Sequence, residues 1–255
     1  MRKIKIFLFA SPHEASDVFK ITRNCTFFSY FIDKEGLFRR KNTPFGNTSR
    51  LMYVSDYGTA SCADADFQKL AADIARECRI RRFSGVFFDF ENPQSALLLS
   101  YASQFIRSPG FTIFVPRMFA GNTSGAKTVI SSSISGGSFS QMLRDAVSAY
   151  GCENICLDVS LTRKDFTMPS YMPEGRDISD RELCEITEKH SPSVFFSKDL
   201  CSKYFTYSEN GEHHFVLFDD ADTARAKLDI AEQMGIPYAF LLYSDFKENT
   251  ASILK

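Results

Sequence analysis

Eight short apolar runs constrain this chain of 255 residues more than anything else in it. They lie near Lys3–Ala10, Cys25–Ile32, Arg50–Ser55, Phe83–Phe90, Phe111–Pro116, Lys127–Ser133, Asn154–Ser160 and Tyr238–Tyr243. Each has the length and the aromatic or β-branched content of a buried strand. Amphipathic helices separate several of them. One carries Phe67, Leu70, Ile74 and Cys78 on a single face, with Asp64 or Ser61 as its cap. A second starts behind Ser138, turns Met142, Leu143, Ala146, Val147 and Tyr150 inward, and ends at Gly151. A third starts at Asp220 or Asp222, buries Ala224, Leu228, Ala231 and Met234, and stops at Gly235-Ile236-Pro237. Strands alternating with helices make a parallel sheet, and eight of them suggest a closed barrel.

Two stretches distort that scheme. Only Arg117 to Ala126 joins the fifth and sixth runs, too short for an ordinary helical crossover. The chain from Leu161 to Leu217 is in excess between the seventh and eighth. It holds a helix over Ser179–His190 and a hairpin, Lys203–Tyr207 with His213–Phe218, around Glu209-Asn210-Gly211. The expected fold is therefore α/β: a distorted TIM-type (β/α)8 barrel over residues 1–255 as one domain, with an insertion between strands 7 and 8.

The fourth run, Ser84-Gly85-Val86-Phe87-Phe88-Asp89-Phe90-Glu91, ends in two carboxylates. Alternation sends Gly85, Phe87, Asp89 and Glu91 to one face and Val86, Phe88 and Phe90 to the other. Asn92 suits an N-cap and Pro93 the first helical position. Leu98, Tyr101, Ala102, Phe105 and Ile106 then follow at helical spacing. Acids at the C-terminal end of a parallel strand stand where barrels place their chemistry. Tyr30, Tyr53, Asp56 and Tyr57 end the second and third runs on the same rim. Asp158 belongs to the seventh, and Tyr243 and Asp245 close the eighth.

Composition narrows the function. A net charge of −1 gives no electrostatic case for nucleic acid or an anionic membrane. No run approaches the length of a membrane span. The first run reads as a buried strand and not as a signal peptide, which implies synthesis in the cytosol. Seven cysteines show no C-x-x-C pair or zinc spacing and read as reduced core thiols. His213 and His214 are neighbours on a strand, so they face opposite ways and cannot readily share a metal ion. The serine-rich segment after Ile130 has neither a G-x-S-x-G nor a P-loop pattern. No cofactor or metal is expected.

Phe83 to Glu91 resembles the fourth-strand signature of glycoside hydrolase family 18, the chitinase-like barrels, written D-G-x-D-x-D-x-E. Gly85, Asp89 and Glu91 match it, while Ser84 and Phe87 stand in place of the first two acids. A second similarity runs from Lys203 to Phe246: Tyr204-Phe205-Thr206-Tyr207, Gly211 to Val216, Asp219-Asp220 with Thr223 and Lys227, then Gly235 to Asp245. It resembles the closing segment of the spore-type, LysM-associated branch of that family. Phe111 to Arg117 resembles the fifth strand.

The resemblance implies substrate-assisted hydrolysis of a β-linked N-acetylglucosamine glycan, peptidoglycan-derived or chitin-like. Glu91 would protonate the leaving oxygen, and Asp89 would orient the acetamido group that attacks the anomeric carbon. Two acids close together beside Phe87 would keep Glu91 protonated. Tyr243, Tyr30, Tyr53, Asp158 and Asp245 are the candidate sugar contacts. A monomer with a carbohydrate ligand, in a spore-associated or intracellular setting, completes the expectation. The sixth run has serines at 131–133 where the family usually has a Tyr-Asp pair, and Tyr243 stands near its usual Trp. With Phe87, these departures make a barrel that binds such glycans without cleaving them the alternative.

Overall fold

The computed structural model describes residues 3–41, 51–57, 66–105, 110–121, 123–169 and 174–254. Arg50, Ser61, Asp64 and Ile106 lie outside the described residues. The strands are β1 (Lys5–Ala10), β2 (Cys25–Phe27), β3 (Tyr30–Ile32), β4 (Phe38–Arg40), β5 (Leu51–Ser55), β6 (Gly85–Asp89), β7 (Thr112–Pro116), β8 (Lys127–Ser131) and β9 (Ile155–Val159). Next come β10 (Arg163–Met168), β11 (Arg176–Asp177), β12 (Phe195–Ser197), β13 (Ser202–Glu209), β14 (Glu212–Phe218) and β15 (Tyr238–Leu242). The helices are α1 (Ala15–Ile21), α2 (Phe67–Arg81), α3 (Ala96–Phe105), α4 (Phe139–Tyr150), α5 (Asp180–His190), α6 (Ala221–Gln233) and α7 (Thr250–Ile253).

All eight expected runs are strands of one sheet, in the order β2-β1-β15-β9-β8-β7-β6-β5-β3-β4. Every pairing in it is parallel except β3 with β4. The second run is split: β2 pairs with β1, and β3 pairs with β5. Phe28-Ser29 joins the two halves, so β2 at one end of the strand order and β3, next to the other end, lie in one stretch of chain and the sheet rolls back on itself. The crossover from β7 to β8 holds only a 3-10 turn, Arg117–Phe119, and no α-helix among its described residues. That is the distortion its length required.

Period two divides each strand between two layers. Phe7, Phe9, Leu51, Phe87, Phe114, Cys156 and Phe240 fill the barrel lumen. Leu8, Leu157, Ala239 and Leu241 face helices α4 and α6, while Val54, Val86, Phe88 and Val115 face α2 and α3. Much of the phenylalanine content is spent inside. Phe9 stacks on Phe87 at 5.2 Å, and Phe240 lies 4.5 Å from Phe9 and 4.9 Å from Phe114. Each ring so buried is worth about 1.5–3 kcal/mol. Gly85 has a steric reason: a Cβ there would stand 2.6 Å from the Thr112 carbonyl oxygen and 2.9 Å from Leu51 Cδ1.

The helix ends follow local chemistry. Asp66 caps α2, its side chain accepting from the Lys69 N–H. Ser138 caps α4, and Gly151 ends it at φ 80°. Asp220 caps α6.

The excess chain forms a second sheet, β11-β10-β14-β13-β12, with α5 against it. Asn210 and Gly211, at φ 50° and 83°, make the hairpin turn between β13 and β14. This unit leaves the barrel from the C-terminal end of β9 and returns through α6 to β15. Asp219 ties it down. Its carboxylate accepts from Lys227 Nζ (2.7 Å), the Thr162 N–H (2.9 Å) and Ser202 Oγ (2.8 Å), with both charged side chains 1% exposed.

Candidate functional site

The C-terminal mouth of the barrel opens into a cavity of about 660 Å3. Phe9, Phe87, Val129 and Leu242 make apolar walls, and Asp89, Asp158, Asp245, Arg117, Ser131 and Ser160 bring polar groups to it. A second cavity of about 460 Å3 adjoins it, bordered by Lys41, Ser55, Tyr57 and Glu91. Phe28, Tyr53 and Asp89 belong to the walls of both. Asp89 therefore stands between two compartments.

Asp89 ends β6 opposite Ser55 in the register, on the face that carries Phe87 below it. Tyr53 Oη donates to Asp89 Oδ2 at 2.6 Å. Burial raises the Asp89 pKa above the usual carboxylate range. The Tyr53 hydrogen bond opposes that shift, and the charge of Asp56 adds to it. Burial and the Asp89 charge also drive the Tyr53 phenol upward, so it stays a donor at any working pH.

Asp158 lies on β9, one alternation step beyond lumen-facing Cys156, between Ser131 of β8 and Phe240 of β15. Ser160 Oγ donates to its Oδ2 at 2.6 Å. Burial lifts this carboxyl as well, against the Ser160 hydrogen bond and with help from the charges of Asp89 and Asp245. Asp245 is raised by burial too, and the charge of Arg163 draws it back.

Glu91 sits two residues past the end of β6 and is exposed. The burial expected for it falls on Asp89 instead, because the strand stops at Asp89 and the chain turns there into the 3-10 turn Pro93–Ser95. Asp56 fixes that corner. Only 2% exposed, it accepts from the Glu91 N–H (2.9 Å), the Asn92 N–H (3.1 Å) and Ser95 Oγ (2.7 Å). Its carboxylate is spent on this frame, a role that sequence reading did not separate from sugar contact. An acid directly following a strand end, opposite an Asn-Pro helix start, was the available signal.

Two expected sugar contacts face elsewhere. Tyr243 is buried in the layer between the sheet and the helices outside it, in one cluster with Leu241 and Ala239. Alternation along β15 sends Phe240 and Leu242 inward and Tyr243 outward, so Leu242 occupies the cavity wall. Tyr30 borders the smaller cavity, but its ring stacks on Phe38 and its hydroxyl donates to Glu77 of α2 at 3.0 Å. That hydroxyl is committed to the outer layer. Tyr57 is 80% exposed at the rim.

The histidines on β14 diverge as their spacing requires: His213 pairs with Ser208 and His214 with Asp165. No group of three or more metal-ligating side chains occurs among the described residues. No helix among them is long and apolar enough to cross a membrane.

No protein-family model matches the chain, and no curated protein sequence does. Solved structures do. The spore cortex-lytic enzyme SleL of Bacillus megaterium superposes with a TM-score of 0.66 at 17% identity, over 94% of this chain and 71% of that one. A chitinase of Chromobacterium violaceum gives 0.71 at 14% identity, covering 98% and 97%. A glycoside hydrolase family 18 chitinase of Cycas revoluta, solved in complex with (GlcNAc)4, gives 0.63 at 13%, covering 97% and 98%. The chain thus has the fold of the family 18 chitinase-like barrels, as the Phe83–Glu91 and Lys203–Phe246 segments imply.

Proposed function

We propose that this protein hydrolyses β-linked N-acetylglucosamine glycans, peptidoglycan-derived or chitin-like, at the mouth of the barrel. The observation that carries this reading is the position of Asp89, held by Tyr53 between two adjoining cavities with Glu91 on the wall of the second. One sugar fits over the aromatic floor of the larger cavity, and the leaving sugar extends into the smaller.

Glu91 donates a proton to the glycosidic oxygen from the leaving-group side. Asp89 accepts the acetamido N–H, so that the carbonyl oxygen of that group attacks the anomeric carbon as the glycosidic bond breaks. Water then opens the cyclic intermediate, with Glu91 taking back a proton. Tyr53 keeps Asp89 in the orientation this needs. Asp245 and Asp158 line the same cavity as further sugar contacts, and the ligand is carbohydrate with the protein acting as a monomer. The likeness to SleL supports a spore-associated setting.

A second reading is favoured by one specific observation: Glu91 does not border the larger cavity, whose floor presents Phe87 where an acid would steady Asp89. A barrel built this way binds the glycan and leaves it whole. Release of an aryl leaving group from aryl N-acetylchitooligosaccharides separates the two. Cleavage that falls about 10²–10⁴-fold in Glu91→Gln, with binding retained, supports the hydrolase. Equal release in that variant refutes the role of Glu91, and calorimetric binding without any release supports the second reading.

A further inference from the structure

We propose that Asp158 is a second ligand-contacting carboxyl of the larger cavity, set across the mouth from Asp89, and that a carboxamide group of the ligand is held between the two. This rests on the glycan reading above, which makes Asp158 a sugar contact, and adds a bonding pattern and a pH dependence to it.

The two acids come from strands separated by β7 and β8 in the rolled sheet, and both line one cavity. Each is anchored at one oxygen only: Asp89 Oδ2 by Tyr53, Asp158 Oδ2 by Ser160. Among the described residues neither Oδ1 accepts a hydrogen bond, so each carboxyl keeps an oxygen for the ligand. Between them β8 supplies Ser131 and no charge.

An amide offers one donor and one acceptor. Its N–H needs an ionised carboxylate, and its carbonyl needs a proton held on the opposing carboxyl. A pair of acids that share one proton satisfies both ends at once. Burial raises both groups, and the Asp89 charge raises Asp158 further, which supports that state. The other titratable or charged groups that face the cavity are Tyr53 from β5, Arg117 after β7 and Asp245 after β15. Asp56 and Arg163 act from behind it through Asp89 and Asp245. Once the pH rises far enough to ionise both acids, the amide carbonyl faces a carboxylate and binding weakens.

The test is calorimetry with chitotriose and with cellotriose, which carries a hydroxyl in place of each acetamido group. Wild type, Asp158→Ala and Asp158→Asn are compared across a pH series, with folding checked by circular dichroism. Asp158→Ala is expected to weaken chitotriose roughly tenfold or more and to leave cellotriose unchanged. Asp158→Asn always presents an N–H to the amide carbonyl, so it retains binding and loses the decline at high pH. Chitotriose bound equally by wild type and Asp158→Ala, or the same decline in Asp158→Asn, overturns this inference and leaves the glycan reading standing. A wild-type protein that binds neither trisaccharide removes both.

Discussion

Two sets of aspartates, one buried and one half-buried, divide the labour in this molecule. Asp219 and Asp56 each hold three hydrogen-bond donors, one of those on Asp219 being a buried lysine. Asp89 and Asp158 have one hydroxyl donor apiece and face a cavity. All four lie on β-strand ends or the turns directly after them. The difference is in what the surrounding chain offers. Around Asp219, the start of β10, β13 and α6 converge and leave no room for a ligand. Around Asp89 and Asp158, aromatic and aliphatic side chains supply the walls and leave the carboxyl oxygens open. Fully paired carboxylates fasten the fold, and under-paired ones are free to act on something else.

The comparison breaks first at Asp219. Asp219→Ala strands Lys227 without its partner in a buried setting, and denaturant unfolding should show a loss of about 3–5 kcal/mol. If the variant is as stable as wild type, the fastening role is refuted. Asp56→Ala should cost about 2–3 kcal/mol by the same measurement, because two N–H groups and a hydroxyl lose a charged acceptor. It should also lower kcat more than it raises KM for an aryl chitooligosaccharide, since the Glu91 backbone loses its anchor. A stability loss with unchanged kcat would confine Asp56 to the fold.

At the cavity the sign reverses. A carboxyl raised on folding binds its proton more tightly in the native state than in the unfolded chain. Its contribution is complete below the ordinary carboxylate range of about 3.9 and is lost as the pH rises through the raised value. Asp89→Asn and Asp158→Asn should therefore melt above wild type at pH 7, with the gap closing as the pH falls below 4. Melting below wild type at pH 7 would mean that these carboxylates are stabilising after all. The smallest effect expected lies outside both sets. Lys189→Ala removes a surface pair with Glu209 on the second sheet and should leave the melting temperature nearly unchanged.

Much of this architecture can be read from the chain because buried parallel strands are nearly continuous apolar runs. All eight stood out, as did the hairpin at Asn210-Gly211 and the short β7–β8 crossover. Alternation along β6 placed Asp89 over Phe87 correctly. The same rule, counted from Phe240, turns Tyr243 away from the lumen, and the likeness to a family tryptophan obscured that parity. What the sequence could not show was set by geometry between distant segments. The strand ends at Asp89 and not at Glu91 because Asp56, 35 residues before Glu91, captures the N–H groups of Glu91 and Asn92. The outward turn of Tyr30 depends on Glu77 of α2. The two open carboxyls at the mouth, Asp89 and Asp158, become a pair only when the sheet closes.

The most direct measurement is a crystal structure of the protein soaked with chitotriose. The account predicts a sugar ring over Phe87 and Leu242, its acetamido group against Asp89, and the next sugar running past Tyr53 toward Glu91. An oligosaccharide bound elsewhere, with the mouth of the barrel empty or its acetamido group turned away from Asp89, would contradict it.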